Sequence, residues 1–435
     1  MVLEFKIENF RSFKTEQVFS FVAETTKSKP NNVFEVALPK GASVRLLKSA
    51  VLYGANASGK SNFLRAFHAL RFFVTQSDSF KIDKPIDCYA PFLLDKTSRE
   101  KPTKFDITFI IKGENNVKYH YAIEYDKNEV IAESLDYYPL GQIANLYKRK
   151  RLTGDYHEIE SGKAFKKLGV PKKFLKNQLI LSKFGSEPHE QLNAVYRFFD
   201  DLSIGNALDK RNISALVNEL GKEIIKPEND FLAQQLTKLI KAADTQIEHI
   251  FAGDISEKER QYLAQLPVSE DFRERLIEDT GFRILGKHNV YENGQVVGIE
   301  DFDFRDNISL GTTAMFAIGG MILKKFEKGG LVVFDELDNS LHPKITRFFI
   351  QLFHNPHVNK NNAQIVFSTH EPLLMDKDMF RSDQIWFTEK NKFGETELYS
   401  AQDFEEVRED IPFDKWYMAG KFGALPNIQE SAFAF

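Results

Sequence analysis

The sequence predicts an α/β fold: a mixed sheet with flanking helices, carrying an antiparallel β lobe and interrupted by a helical insertion. Three observations predict it. A glycine loop, Gly54 to Ser61, lies between an apolar run and an amphipathic segment. Alternating runs on either side of Gly113-Glu114-Asn115-Asn116 make a hairpin. Two later apolar runs, Leu331 to Phe334 and Gln364 to Thr369, end in polar residues, as buried parallel strands do where they deliver chemistry to a sheet edge.

In chain order, Phe5 to Phe19 mixes apolar and polar residues as two short strands would, and Leu46 to Tyr53 is an apolar run ending at the glycine loop. Beyond Lys60, Phe63, Phe67, Leu70 and Val74 fall on one face of a helix that starts at the loop. Phe105 to Ile111 and Val117 to Ile123 form the hairpin. From about Glu187 to Thr280 the pattern is helical, clearest at Leu232, Leu236, Leu239, Ala243, Ile247 and Ile250, and Pro227 and Pro267 interrupt it too early for a long coiled-coil arm. A second hairpin turns near Asn293-Gly294, and an apolar helix from Ala314 to Phe326 precedes Leu331. Residues 1–186 and 281–435 are therefore expected to be two halves of one head, with 187–280 as the insertion.

With 435 residues and 42% hydrophobic side chains, the chain can bury a large core, and 40 phenylalanines point to an aromatic-rich core or a large protein interface. No apolar stretch is long enough to span a membrane, and the first residues lack the layout of a signal peptide, so a cytoplasmic protein is expected. The single cysteine, Cys88, excludes an internal disulfide and a cysteine-built zinc site. A net charge of -4 means that a nucleic-acid partner would need a local patch. Lys148-Arg149-Lys150-Arg151 and the lysines at 166, 167, 172 and 173 are dense enough to contact phosphates, although a solvated strand end and turn is the plainer reading of either run alone.

The chemistry starts at Gly54-Ala55-Asn56-Ala57-Ser58-Gly59-Lys60-Ser61. Its glycines let the backbone fold around anionic oxygens at a helix N-terminus, Lys60 can reach the β and γ phosphates, and the Ser61 hydroxyl can ligate Mg2+. Beside such a loop, Asp335 fits the acid that holds the metal and Glu336 the base that polarises attacking water. His370, one strand later, fits a sensor of the γ phosphate. Ser309, Gly311 and Thr312 stand at the start of the apolar helix, where a hydroxyl and backbone N–H groups can bind phosphate; an ordinary N-cap is the plainer alternative.

The order of phosphate loop, β lobe, helical insertion, Ser-x-Gly, Asp-Glu and Ser-Thr-His resembles the ABC-type ATPase heads of the SMC, RecF and OLD group. Ile7-Glu8-Asn9-Phe10-Arg11-Ser12-Phe13 is similar to that group's opening motif. The resemblance implies that Arg11 and Ser12 join Asn56, Ala57, Ser58, Gly59, Lys60, Ser61 and Asn62 in binding ATP with Mg2+. It also implies that Ser309, Gly311 and Thr312 of one copy close over the ATP of another in a head-to-head dimer, within a homo-oligomer. More narrowly, Tyr53 to Asn62, Asp335 to Pro343, Asp383 to Phe387 and Gly420 to Pro426 resemble the RloA/AriA-like ATPases of bacterial anti-phage operons, including those of PARIS type. That family implies a sensor and scaffold that binds a separately encoded Toprim-type nuclease and frees or activates it on infection, in answer to a phage-encoded trigger.

A RecF- or SMC-like DNA-repair ATPase binding duplex DNA would share the head motifs. A nuclease of the OLD kind would need a Toprim domain, for which the segment after His370 is short, and Asp301-Phe302-Asp303 fits a strand-to-turn feature better than a metal pair. No guanine-reading Asn-Lys-x-Asp or Thr-Lys-x-Asp is present, which disfavours a GTPase. Gln142 is the nearest residue to a Q-loop glutamine, with Pro91-Phe92 at a comparable landmark; His342 fits an interface role.

Overall fold

The computed structural model describes residues 1–163, 165, 173–205, 210–226, 229–243, 246–255, 257–304, 307–405, 407–408 and 411–427. It comprises two units, one of Met1–Gly205, Gly329–Asp335 and Ile350–Phe435, the other of Asn206–Lys328 and Glu336–Phe349. Lys166, Lys167, Lys172 and Pro227 lie outside the described residues. Among the described residues, no helix is long and apolar enough to cross a membrane.

The first unit opens with β1 (Val2–Glu8) and β2 (Gln17–Ser20), a small hairpin of β3 (Val33–Ala37) and β4 (Ser43–Leu47), then β5 (Ser49–Tyr53) and α1 (Lys60–Gln76). A meander follows: β6 (Thr103–Ile111), β7 (Val117–Tyr125), β8 (Val130–Tyr138), β9 (Ala144–Lys150), β10 (Tyr156–Ser161) and β11 (Lys173–Leu175), then α2 (Glu190–Asp200) and β12 (Ser203–Gly205). The second unit holds α3 (Lys210–Ile224), α4 (Asp230–Ala242), β13 (His249–Asp254), α5 (Glu257–Ala264), α6 (Glu270–Thr280), β14 (Phe282–Glu292), β15 (Gln295–Asp303) and α7 (Leu310–Lys328). The chain continues through β16 (Leu331–Phe334), α8 (Pro343–His354), β17 (Gln364–Ser368), β18 (Ile385–Lys390), β19 (Thr396–Ser400) and α9 (Phe413–Met418).

The first unit contains two main sheets. One is antiparallel, in the order β11-β10-β9-β8-β7-β6-β1-β2; the other runs β12-β16-β17-β5-β18-β19, parallel except for the edge strand β19. β5, β16 and β17 are buried along their whole length, as expected of strands covered on both faces. Against them α1 buries Phe63, Phe67, Leu70, Phe73 and Val74, and Phe5, Phe19 and Phe105 complete an aromatic core, with the Phe5 and Phe67 rings 4.4 Å apart.

Two stretches that look continuous in the sequence are divided. Leu46 to Tyr53 bends at Lys48, because Leu46 and Leu47 pair back onto β3 whereas Ser49 onward pairs in parallel with β17. The apolar series from Leu232 ends as a helix at Ala242; Ile250 lies on β13, where its N–H donates to Thr237 Oγ1 at 3.0 Å and so reaches the core of α4 from a strand. In the second unit α7 packs closely on its neighbours through a glycine pair. A Cβ on Gly319 would sit 2.8 Å from Leu239, and one on Gly320 would collide with Leu220.

The β lobe is locked by a buried carboxylate. Glu133 accepts from Tyr121 Oη and Tyr147 Oη at 3.0 Å each, from the Ile180 and Leu181 N–H groups at 2.8 and 3.0 Å, and from Arg149 Nη2 at 2.9 Å. Both charged side chains are fully buried. Glu133→Gln puts an amide among donors and leaves Arg149 without its counter-charge. It is expected to lower unfolding free energy by about 3–5 kcal/mol, read from the denaturant midpoint.

Candidate functional site

Asn9 shapes the first loop. It takes a left-handed backbone (φ 49°), and its buried side chain donates to the Ser98, Lys101 and Pro102 carbonyls and accepts from the Phe92 N–H. Phe10 and Phe13 are buried and bridge each other through their main chains. Arg11 is left at the exposed tip, with φ 54° and its N–H bonded to the Ala90 carbonyl at 2.6 Å. Burial and the nearby Arg65 lower the Arg11 pKa.

The glycine loop follows β5 at the carboxyl edge of the parallel strands, where ligands of open α/β sheets bind. Gly54 has φ 151° and Gly59, the N-cap of α1, φ 124°. A Cβ on Gly54 would collide with the Thr388 carbonyl oxygen; one on Gly59 would stand 2.5 Å from Thr396 Oγ1. Asn56 and Ala57 are exposed at the tip, Ala57 with φ 61°, and Ser58 is buried with its Oγ 2.6 Å from Thr388 Oγ1. Lys60 is 5% exposed and donates to the Gly54 and Ala55 carbonyls at 2.7 and 3.1 Å, so its ammonium lies along the loop. No acidic residue occupies the first turn of α1, so nothing within the helix itself offsets its positive dipole end.

Next to this loop, Ser61 Oγ donates to Asp335 Oδ1 at 3.1 Å and Ser368 Oγ to the same atom at 2.7 Å. Asn62 Nδ2 donates to Ser12 Oγ at 2.9 Å, joining the two loops. Beside them lies a cavity of about 520 Å³ whose wall includes Arg11, Ser12, Asn62, Tyr89, Leu94 and Lys390. His370 is exposed at the end of β17, two residues after Ser368.

Glu336, Ser309, Gly311 and Thr312 belong to the second unit. Ser309 caps α7: its Oγ accepts from the Thr312 N–H at 3.2 Å and lies 2.8 Å from Thr312 Oγ1. A Cβ on Gly311 would stand 2.9 Å from the Ser340 carbonyl, so the helix start abuts the turn that follows Glu336. Glu336 has φ 54° and accepts the Asn339 N–H through its carbonyl at 3.0 Å. His342 is exposed and caps α8, its Nδ1 accepting from the Lys344 N–H at 3.2 Å. Gln142 is exposed in the loop between β8 and β9, whereas Pro91 and Phe92 line the cavity.

In the basic run on β9, two of the four cations are ion-paired. Lys148 and Lys150 stand directly across from Glu160 and Glu158 of β10, Arg149 is turned inward to Glu133, and Arg151 pairs with Glu129. Sequence reasoning named neither Ser368 as a partner of Asp335 nor Thr388 and Thr396 as the floor of the glycine loop. The position of Ser368 two residues before His370 was an available signal; the threonines had none, because their contact is set only by folding.

A phosphate loop beside a serine-bound aspartate at the end of parallel strands, together with an antiparallel β lobe, defines a P-loop ATPase domain. The family model described as "AAA domain, putative AbiEii toxin, Type IV TA system" matches residues 49–376, and the chain belongs to that family. An OLD nuclease of Thermus scotoductus is 25% identical over 126 residues, which span 28% of this chain and 23% of that protein. The crystal structure of the SmcHead bound to the C-winged helix domain of ScpA aligns with a TM-score of 0.44 at 12% identity, over 92% of this chain and 97% of that one. The Smc head domain with an extended coiled coil, bound to the C-terminal domain of ScpA derived from Pyrococcus furiosus, aligns with a TM-score of 0.38 at 13% identity, over 97% and 98%.

Gly54→Ala is expected to weaken nucleotide binding by more than about tenfold, because the added methyl must displace backbone. Gly141, equally left-handed but with open space around its Cβ, is the contrast. Gly141→Ala is expected to leave binding unchanged and cost about 1 kcal/mol of stability. Titration with a fluorescent ATP analogue checks both.

Proposed function

We propose that the chain hydrolyses Mg-ATP and uses the cycle to regulate a separately encoded nuclease of Toprim type in anti-phage defence. The observation that carries the ATPase chemistry is the meeting of Ser61 and Ser368 on Asp335, beside a buried Lys60 at a helix N-terminus. A serine hydroxyl and a carboxylate are hard oxygen donors and fit Mg2+, which Ser61 and Asp335 would hold with phosphate oxygens completing the set. When bound, the metal offsets charge on the transferring phosphoryl group. Ser368 fixes the Asp335 carboxylate, Lys60 and the loop N–H groups bind the phosphates, and Arg11, Ser12 and Asn62 lie on the flank where the cavity can take the rest of the nucleotide.

Glu336 polarises the attacking water and His370 offsets charge on the γ phosphate. Ser309, Gly311 and Thr312 of a second copy close the site, in a head-to-head dimer within a larger homo-oligomer. The family description, which names a putative toxin of a type IV toxin–antitoxin system, supports a defence role, for which the trigger we propose is a phage-encoded component. The pairing of Arg149 with Glu133 and of Arg151 with Glu129 leaves fewer free cations on this run for duplex DNA and favours a protein partner.

Phosphate release by the wild type, Lys60→Ala and Glu336→Gln tests the chemistry. Lys60→Ala is expected to lose ATP binding, and Glu336→Gln to keep binding while turnover falls about 100-fold or more. Equal turnover in wild type and Glu336→Gln would remove Glu336 as the base. Duplex DNA is expected to change wild-type turnover less than about twofold; strong stimulation that fades with salt would favour a repair ATPase instead.

A further inference from the structure

Thr396 is the first residue of β19, buried, and far from the phosphate loop in sequence. Its side chain and main chain make two different connections. Thr396 Oγ1 donates to the Ser58 carbonyl at 2.7 Å, and the Thr396 N–H donates to the Ser12 carbonyl at 2.8 Å. Around it β19 is sewn to the segment after Ser12: Leu398 N–H donates to Gln17 Oε1 at 2.8 Å, and Thr15 Oγ1 to Glu395 Oε1 at 3.0 Å. One short strand therefore holds both the glycine loop and the Arg11–Ser12 loop.

The bond to Ser58 has a directional consequence. In a planar trans peptide the carbonyl and the following N–H point to opposite sides. Tying the Ser58 carbonyl down to Thr396 turns the Gly59 N–H away from β19, toward the concave side of the loop. Without such a tether a glycine-flanked peptide can rotate as a unit, because Gly59 itself restrains it little. Thr388 holds the same residue by its side chain, through Ser58 Oγ, but leaves the peptide plane free.

We infer that Thr396 is a positioning residue for the nucleotide: its hydroxyl orients the Ser58–Gly59 peptide so that the Gly59 N–H is presented to a phosphate oxygen, while its N–H sets the Arg11–Ser12 loop at a fixed distance from that donor. This deepens the ATPase proposal and rests on it.

Calorimetric titration of the full chain with Mg-ATP tests it, using Thr396→Val, which keeps shape and N–H but loses the hydroxyl, and Thr396→Ser, which keeps the hydroxyl. Thr396→Val is expected to bind about tenfold more weakly with unchanged stoichiometry, the loss of one oriented hydrogen bond. Thr396→Ser is expected to stay within about twofold of wild type. A Val variant that binds as tightly as wild type overturns the inference. So does one that keeps wild-type affinity with fewer binding sites, since that marks a fold defect in part of the sample. Failure of the wild type to bind Mg-ATP is a separate outcome and removes the ATPase proposal itself.

Discussion

The phosphate loop has no room for side chains at Gly54 and Gly59, because it lies directly on Thr388 and Thr396 of β18 and β19. This close approach governs the rest of the first unit. It requires β18 to pair with β5 from the other side than β17, so the loop emerges from the middle of the sheet rather than from its edge. It also requires β18 and β19 to be rigid. An aromatic group supplies that rigidity: Phe387 lies between Tyr399, Tyr417 and Phe422, with ring centroids 5.6, 5.7 and 5.0 Å away, and Tyr417 is 5.7 Å from Tyr53. Gly423 closes the group, since a Cβ there would meet Glu389 Oε2 at 2.7 Å. The segment from Gly420 to Ala424 thus bears on the glycine loop through two layers of packing.

Buried charge is treated differently in the two places where it is dense. In the β lobe and at Arg381, ions are withdrawn from water and paired: Glu133 holds Arg149 in the lobe, and Arg381 binds Asp383 at 2.6 Å and donates to the Glu24, Thr26 and Ser28 carbonyls. Such groups specify one arrangement, because any other leaves an uncompensated charge. Around Ser61 and Asp335 the polar atoms are only partly buried and converge on one carboxylate oxygen. The first pattern suits a frame and the second a ligand. The run at Lys148 to Arg151 follows the frame pattern in its inward arginine and a surface pattern elsewhere, so that two of its four cations are paired within the lobe.

Much of this was legible from local sequence. The glycine loop, its helix, both hairpins and the strand ending at Asp335 depend on neighbours within a few residues, and Asn293 and Gly294 take the left-handed conformations that a two-residue hairpin turn requires. What was hidden depends on contacts that cross hundreds of residues. Leu46 to Tyr53 has one apolar pattern but two sets of partners, so the bend at Lys48 has no local mark. Ile250 continues a helical spacing by coincidence, since a strand returning to the same core also needs an apolar residue there. Arg149 was grouped with its basic neighbours because alternation along β9 sends it, alone of the four, to the lobe interior.

The same distances bear on how the site comes into being. β5 has as neighbours β17 and β18, which are separated from it by some three hundred residues of chain, and both pairings are parallel. Parallel pairs need long crossovers, and closing them costs entropy before any contact compensates. The glycine loop therefore takes its flanking helix from adjacent chain but its floor from Thr388 and Thr396, on the last strands. Without those distant segments the Ser58–Gly59 peptide lacks the bond that fixes its plane, and Asp335 lacks Ser368. A phosphate site assembled from such distant segments is a property of the completed first unit rather than of the motif that announces it, and nucleotide binding should accordingly stabilise that unit as a whole by mass action instead of ordering one loop.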